Sequence, residues 1–108
     1  MRVCVPINSV GLVDPRWGRA DRVAIADAAD GKVSNWEEFD VHWSALHDAG
    51  TEGSHHARVA RFLRDHAVEA VVVDHMGQGM ILMLQRMRIS VWSGASGEAR
   101  QAVMLAMA

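Results

Sequence analysis

The side chains in this sequence best suited to chemistry are its histidines, two of its arginines, and one methionine that stands between a histidine and a glycine. His75 and Met76 belong to the run Asp74-His75-Met76-Gly77-Gln78-Gly79, which follows Val71, Val72 and Val73 and precedes a nearly all-apolar segment from Met80. An imidazole and a thioether side by side suit a soft metal. Backbone N–H groups at Gly77 and Gly79, opening a helix, suit an anion. A second loop, Ser93 to Gly97, offers Gly94 and Gly97 in the same way. His42 and His47 lie in a polar stretch, and His55 and His56 fall in the first turn of another helix. The positive end of a helix disfavours imidazolium, so both of the latter are expected to be neutral, the form that binds metals. Arg16 and Arg19 flank Trp17 and Gly18, where a planar cation could pair with an anionic ligand.

Each of these residues also has an ordinary role open to it. No HxH or HExxH spacing fixes a metal site in advance, so the histidines can be solvated or capping residues. Met80, Met83 and Met87 recur with Leu84 at helical spacing, which describes a core stripe. The glycines can be turn glycines, and Arg16 and Arg19 can pair with Asp14 or Asp21. Cys4 lies among apolar neighbours in a strand, where cysteine packs as a small hydrophobe. A dinucleotide fingerprint would need a third glycine where Leu82 stands, and no P-loop is present. Two-metal nucleases need carboxylates converging on the first strand, and Arg2 to Ile7 has none. With no Ser-His-Asp or Cys-His arrangement legible either, a binding protein is expected rather than an enzyme.

The elements that must position these residues follow from periodicity. Val3, Val5 and Ile7 alternate with Arg2, Cys4 and Pro6 in a first strand. Val23 and Ile25 mark a second strand, the Asp30-Gly31 pair a hairpin turn, and Lys32 to Val41 a long edge strand. His42 to Gly53 reads as a loop. Ser54 is placed to cap a helix whose inward face is His56, Val59, Ala60, Leu63 and Ala67. The runs at Val71 and Ile89 are apolar on both faces, as in parallel strands buried under helices. Ser96 is placed to cap a last helix with Ala99, Ala102, Val103 and Ala106 inward. The expected fold is α/β: five strands in one mixed sheet with three helices, the strand at Val71 beside the first and that at Ile89 beyond it. Ligands of such sheets sit beyond the carboxyl ends of the strands, which directs attention to residues 74–79 and 93–97.

The 108 residues are expected to form one domain, residues 1–108, since half are hydrophobic and 22% charged. A net charge of -2 gives no footprint for nucleic acid. Arg58, Arg61 and Arg64 recur on one helix face, which is expected to be solvated. The single cysteine excludes an internal disulfide and a CxxC motif. MRVCVPI is too short for a signal peptide and nothing approaches a membrane span, so the expectation is a cytoplasmic protein with neither membrane nor nucleic acid as partner.

The run WGRADRVAIADAADGKV at Trp17 to Val33 resembles the segment, strand and hairpin of the dinitrogenase iron-molybdenum cofactor biosynthesis family, the small proteins related to NifX and the C-terminal part of NifB. VPIN at Val5 to Asn8, DHMGQG at Asp74 to Gly79 and VWSGASGEARQAV at Val91 to Val103 follow in the family's order, so the resemblance covers nearly the whole chain. Trp17 stands where the family usually has phenylalanine, and the second strand has small residues where aromatics are common. The resemblance implies a ribonuclease H-like fold. It also implies a carrier of a metal cluster: the iron-molybdenum cofactor of nitrogenase, a precursor, or a related molybdenum, iron or copper cluster. Proteins that donate or accept the cofactor would be its partners. Cofactor contacts are then expected from Arg19, His75, Met76, Gly77, Gly79, Gly94 and Gly97, and metal ligands from His75 with His42, His47, His55 or His56. Two other roles stay open: a metal-free module that binds a small molecule or anion, and an interaction domain that uses the exposed edge strand near Trp36 to Val41.

Overall fold

The computed structural model describes residues 1–47 and 50–107. Five strands form one sheet in the order β3-β2-β1-β4-β5. β1 (Arg2–Ile7) is central, with β2 (Arg22–Ala29) and β3 (Lys32–Asp40) antiparallel on one side. β4 (Ala70–Val72) and β5 (Ser90–Trp92) lie parallel on the other. The hairpin turns at Asp30 and Gly31, both with positive φ (52° and 74°), as a two-residue turn matching the twist of the strands requires. The sheet direction and strand order are those expected.

Both faces of the sheet are covered. Val3, Val5, Ile7, Ala24, Ala28, Ala70 and Val72 pack under α4 (Ala99–Met107), which contributes Ala99, Ala102 and Val103. The small side chains of β2 let this helix lie close. Cys4, Val23, Ile25, Val71 and Val73 pack on the opposite face, under α2 (Glu52–Asp65) and α3 (Gln78–Arg86), with Val59, Leu63, Met80 and Leu84 pointing in. Met83 and Met87 flank that core, as a methionine stripe should. Burial raises the Cys4 thiol pKa far above its usual value, so it stays a neutral packing group.

Several local expectations need correction. Within the stretch read as a loop from His42 to Gly53, Trp43–His47 forms a short helix, α1, and α2 already begins at Glu52. Residues 48 and 49 of that stretch lie outside the described residues. One buried side chain, Trp43, anchors α1, and five residues are too few to show a period. Thr51, not Ser54, caps α2: its hydroxyl accepts from the Ser54 N–H at 3.1 Å. Glu98, not Ser96, serves the last helix, its carboxylate accepting from the Arg100 and Gln101 N–H groups at 2.8 and 3.2 Å. The inward stripe of α2 is rotated by one residue at its start. His55, Val59 and Leu63 are buried, His56 and Ala60 are half-buried, and Ala67 is exposed beyond the helix end with φ 54°.

Candidate functional site

The carboxyl ends of β1 and β4 are spanned by the segment between β1 and β2. The Asn8 side chain accepts from the N–H groups of Val10 and Leu12, which bends the chain back on itself. Val13 bridges to Ile7, and Asp14 N–H donates to the Pro6 carbonyl at 2.9 Å. The Asp14 carboxylate, 5% exposed, accepts from the backbone N–H of Arg16 at 2.9 Å and from its guanidinium at 3.3 Å. Arg16 is thus held by Asp14, as its ordinary reading anticipated. A single 3-10 turn at Trp17–Arg19 then places the Trp17 ring in the core, edge-on to Trp43 at 5.2 Å between centroids. Arg16 also forms a parallel backbone bridge to His75, which ties this segment to the loop after β4.

Between these segments and the N-terminal ends of α2 and α3 lies a cavity of ≈ 350 Å³. Arg16 and Arg19 line one side, His75, Met76 and Gly77 another, and Gln78, Gly79 and Met80 of the first turn of α3 the floor. His47, His55 and His56 complete it from α1 and α2. Gly77 is the N-cap residue of α3 and no side chain among the described residues caps that helix, so its first-turn N–H groups have no side-chain acceptor there. Among the described residues, no carboxylate lines the cavity. Its volume lies in the range of small-molecule sites.

The histidines differ in their surroundings. His55 is 2% exposed and its Nε2 lies 2.8 Å from the Gly18 carbonyl, an acceptor, so Nε2 carries the proton and donates. Nδ1 then accepts from the Arg58 guanidinium at 2.9 Å, and Arg58 also reaches the Leu46 carbonyl at 3.3 Å. Both ring nitrogens are occupied, so His55 clamps α2 to the Trp17–Arg19 turn and to α1. Its pKa is lowered, first by burial and then by the charges of His47, Arg58 and His56, against the opposing pull of the Gly18 carbonyl. Arg58, read from the sequence as solvated, has its role here; its i, i+3 spacing from His55 was the available signal. The His47 ring stands 4.9 Å from that of His55, between centroids. A methyl group on Gly79 would stand 3.3 Å from Cε1 of His56, so that glycine is a close-approach position. His75 is exposed at the cavity mouth.

Arg19, His75, Met76, Gly77, Gly79, His47, His55 and His56 therefore share one cavity, whereas His42, Gly94 and Gly97 do not line it. His42 is exposed, with φ 53°, just ahead of α1. Gly94 and Gly97 adopt left-handed φ of 82° and 83° in the loop after β5. Gly94 N–H donates to the Asp74 carbonyl and the Gly97 carbonyl accepts from Val13, so these turns brace the site's flank. Trp17 and Gln78 also line the cavity, although the sequence did not single them out as ligand contacts. Among the described residues, no three of His, Cys, Asp and Glu are placed to hold one metal ion.

A family model described as dinitrogenase iron-molybdenum cofactor matches residues 1–108. The chain belongs to that family. Membership connects this iron-molybdenum cofactor family protein with metal-cluster biology. No curated protein sequence matches it. Among solved structures, PH0822 superposes with a TM-score of 0.77 at 23% identity over 99% of this chain and 89% of its own. A candidate NifB protein from Thermotoga, TM1290, gives 0.68 at 23% over 94% and 83%. The apo form of the orange protein from Desulfovibrio gigas gives 0.73 at 26% over 94% and 82%. Among the described residues, no helix is long and apolar enough to cross a membrane.

Proposed function

We propose that this family member is a cytoplasmic carrier that takes an anionic metal–sulfur cluster as cargo in the cavity between the Trp17–Arg19 turn and the loop after β4. The observation that carries this reading is the make-up of that cavity among the described residues: two arginines, four histidines, a thioether and a helix start without a side-chain cap, and no carboxylate. A bare divalent cation would find no carboxylate oxygen among the described lining residues. A cluster with an anionic sulfide or carboxylate periphery would be attracted, and the N–H groups of α3 could donate to it. His75, exposed and next to Met76, is positioned as a ligand through a ring nitrogen, with Met76 a soft second donor. His55 serves instead to hold the turn that presents Arg19. His47 and His56 line the wall and would contact the cargo. The family supports the iron-molybdenum cofactor or one of its precursors as cargo, in the setting of nitrogen fixation. Holding and releasing a cluster requires no turnover, so the role is binding rather than catalysis.

The test is metal analysis of protein purified anaerobically from its native host. Molybdenum or iron retained in a fixed ratio to protein is expected. No molybdenum, iron or copper above background would refute the carrier. The same donors would hold a metal-free oxyanion, a reading favoured by the N–H groups at the start of α3, which have no side-chain cap among the described residues. Tight phosphate binding by metal-free protein, undiminished by His75→Ala, would select that alternative.

A further inference from the structure

The helical layer holds a second concavity. A groove of ≈ 560 Å³ runs between α2 and α3, lined by His56, Ala60 and Arg64 on one side and Gly79, Leu82, Met83, Arg86 and Met87 on the other. The lining residues advance along both helices in the same direction, so the groove is straight. From His56 to Arg64 it is roughly 12 Å long, or a little over two helical turns. Its floor is apolar: Leu82 is 44% exposed, and Met83 and Met87 are half-buried. Methionine side chains repack around different partners at low cost. Arg64 and Arg86 stand at one end, both exposed, and neither forms an ion pair or side-chain hydrogen bond with the described residues. Among the described residues, no carboxylate lines the groove. At the other end His56 and Gly79 line both the groove and the cluster cavity.

We infer that this groove docks an amphipathic, acidic helix of the protein that gives or receives the cargo. Length and apolar floor suit a helix presenting residues at i, i+3, i+4 and i+7, and the two unpartnered arginines select carboxylates at one end of it. The inference rests on the carrier reading for its biological sense, since the shared wall of His56 and Gly79 places the docked helix next to the cargo. Docking there would let the partner sense or move His56 directly.

The experiment uses the full chain without cargo and a synthetic 15-residue peptide with leucines at helical spacing and glutamates elsewhere. Amide shifts on titration are expected at Ala60, Leu82, Met83 and Met87, and the double variant Arg64→Glu/Arg86→Glu should weaken binding at least tenfold with an unchanged melting temperature. The inference is overturned if a lysine version of the peptide binds equally well, or if the charge reversal leaves affinity unchanged. Self-association through these residues in the absence of peptide would overturn it in favour of a second copy. Co-sedimentation with phosphatidylserine vesicles, without peptide binding, would overturn it in favour of a membrane surface. Tetrathiomolybdate uptake, measured on the same proteins, should survive the double variant; its loss would place the arginines in the cargo site and overturn the inference. Peptide binding by a chain that retains no molybdenum, iron or copper from its native host would refute the carrier and support the groove alone.

Discussion

Replacing His55 with alanine should both loosen the fold and disorganise the cavity, because this one ring joins three elements. It donates to the Gly18 carbonyl at 2.8 Å, accepts from Arg58 at 2.9 Å, and stands edge-on to the Trp43 ring with centroids 6.5 Å apart. Two hydrogen bonds contribute ~1 kcal/mol each, and loss of a buried ring's packing adds roughly 1–2 kcal/mol. The Gly18 carbonyl borders the cavity and can be rehydrated, which brings the total below the sum of roughly 3–4 kcal/mol, to about 2–3 kcal/mol. For a chain of this size that is a fall of roughly 10 °C in Tm. His55→Gln, whose amide can replace the Nε2 donor but fits Arg58 poorly, should recover about half of it. Thermal melting followed by circular dichroism reads both variants. A loss below about 0.5 kcal/mol for His55→Ala would show that the ring does not clamp the turn, and the account of the site would fail with it.

The depressed pKa of His55 sets a pH dependence. Its stabilising contribution is complete above the ordinary histidine value of 6.5 and is lost as pH falls below it towards the folded-state pKa, so wild type should lose more Tm than His55→Gln between pH 7 and pH 5. Parallel melting curves for the two would refute this. His75→Ala should weaken cargo binding at least tenfold, about 1.4 kcal/mol or more, with Tm unchanged because the side chain is exposed; equal affinity, or a large loss of Tm, would move the site elsewhere. Gly79→Ala should favour α3 by at most ~1 kcal/mol while pressing its methyl on His56, giving equal or higher Tm with poorer cargo uptake. If uptake is unaffected, His56 is not part of the wall that matters. Cys4 should resist alkylation in the native state and react only as the chain unfolds; prompt labelling would contradict its burial.

Much of the scaffold was legible because it repeats a local rule. Period-two alternation gave β1, the Asp30-Gly31 pair gave the β2–β3 hairpin, and a run apolar on both faces gave β4; the Ile89 run gave β5 as a strand, but at the sheet edge it is exposed to half-buried rather than buried on both faces. The resemblance in the order of WGRADRV, DHMGQG and VWSGASGE pointed to the family that the full-length match then established. Short-range features were harder. Helix α1 has one anchoring side chain, and the caps at Thr51 and Glu98 compete with equally plausible residues two or three positions away.

The sequence by itself determined which residues would lie at the carboxyl edge of the sheet, since a strand followed by a glycine loop and a helix leaves no other place for His75, Met76, Gly77 and Gly79. Only the tertiary structure decided which of the remaining candidates join them. His55 and His56 are adjacent in sequence but about 100° apart around a helix, so one turns inward to the Gly18 carbonyl and the other lies against Gly79. Nothing local fixes which is which, because that rotation is set by Val59 and Leu63 packing into the sheet. Likewise Gly94 and Gly97 have the same local chemistry as Gly77 and Gly79, yet the segment after β1 crosses over β4, where Arg16 bridges to His75, and its Val13 and Leu12 bind the second glycine loop as a brace. Backbone pairing between residues some sixty and eighty positions apart chose one loop as the cavity wall and the other as its support, and no spacing in the sequence encodes such a choice.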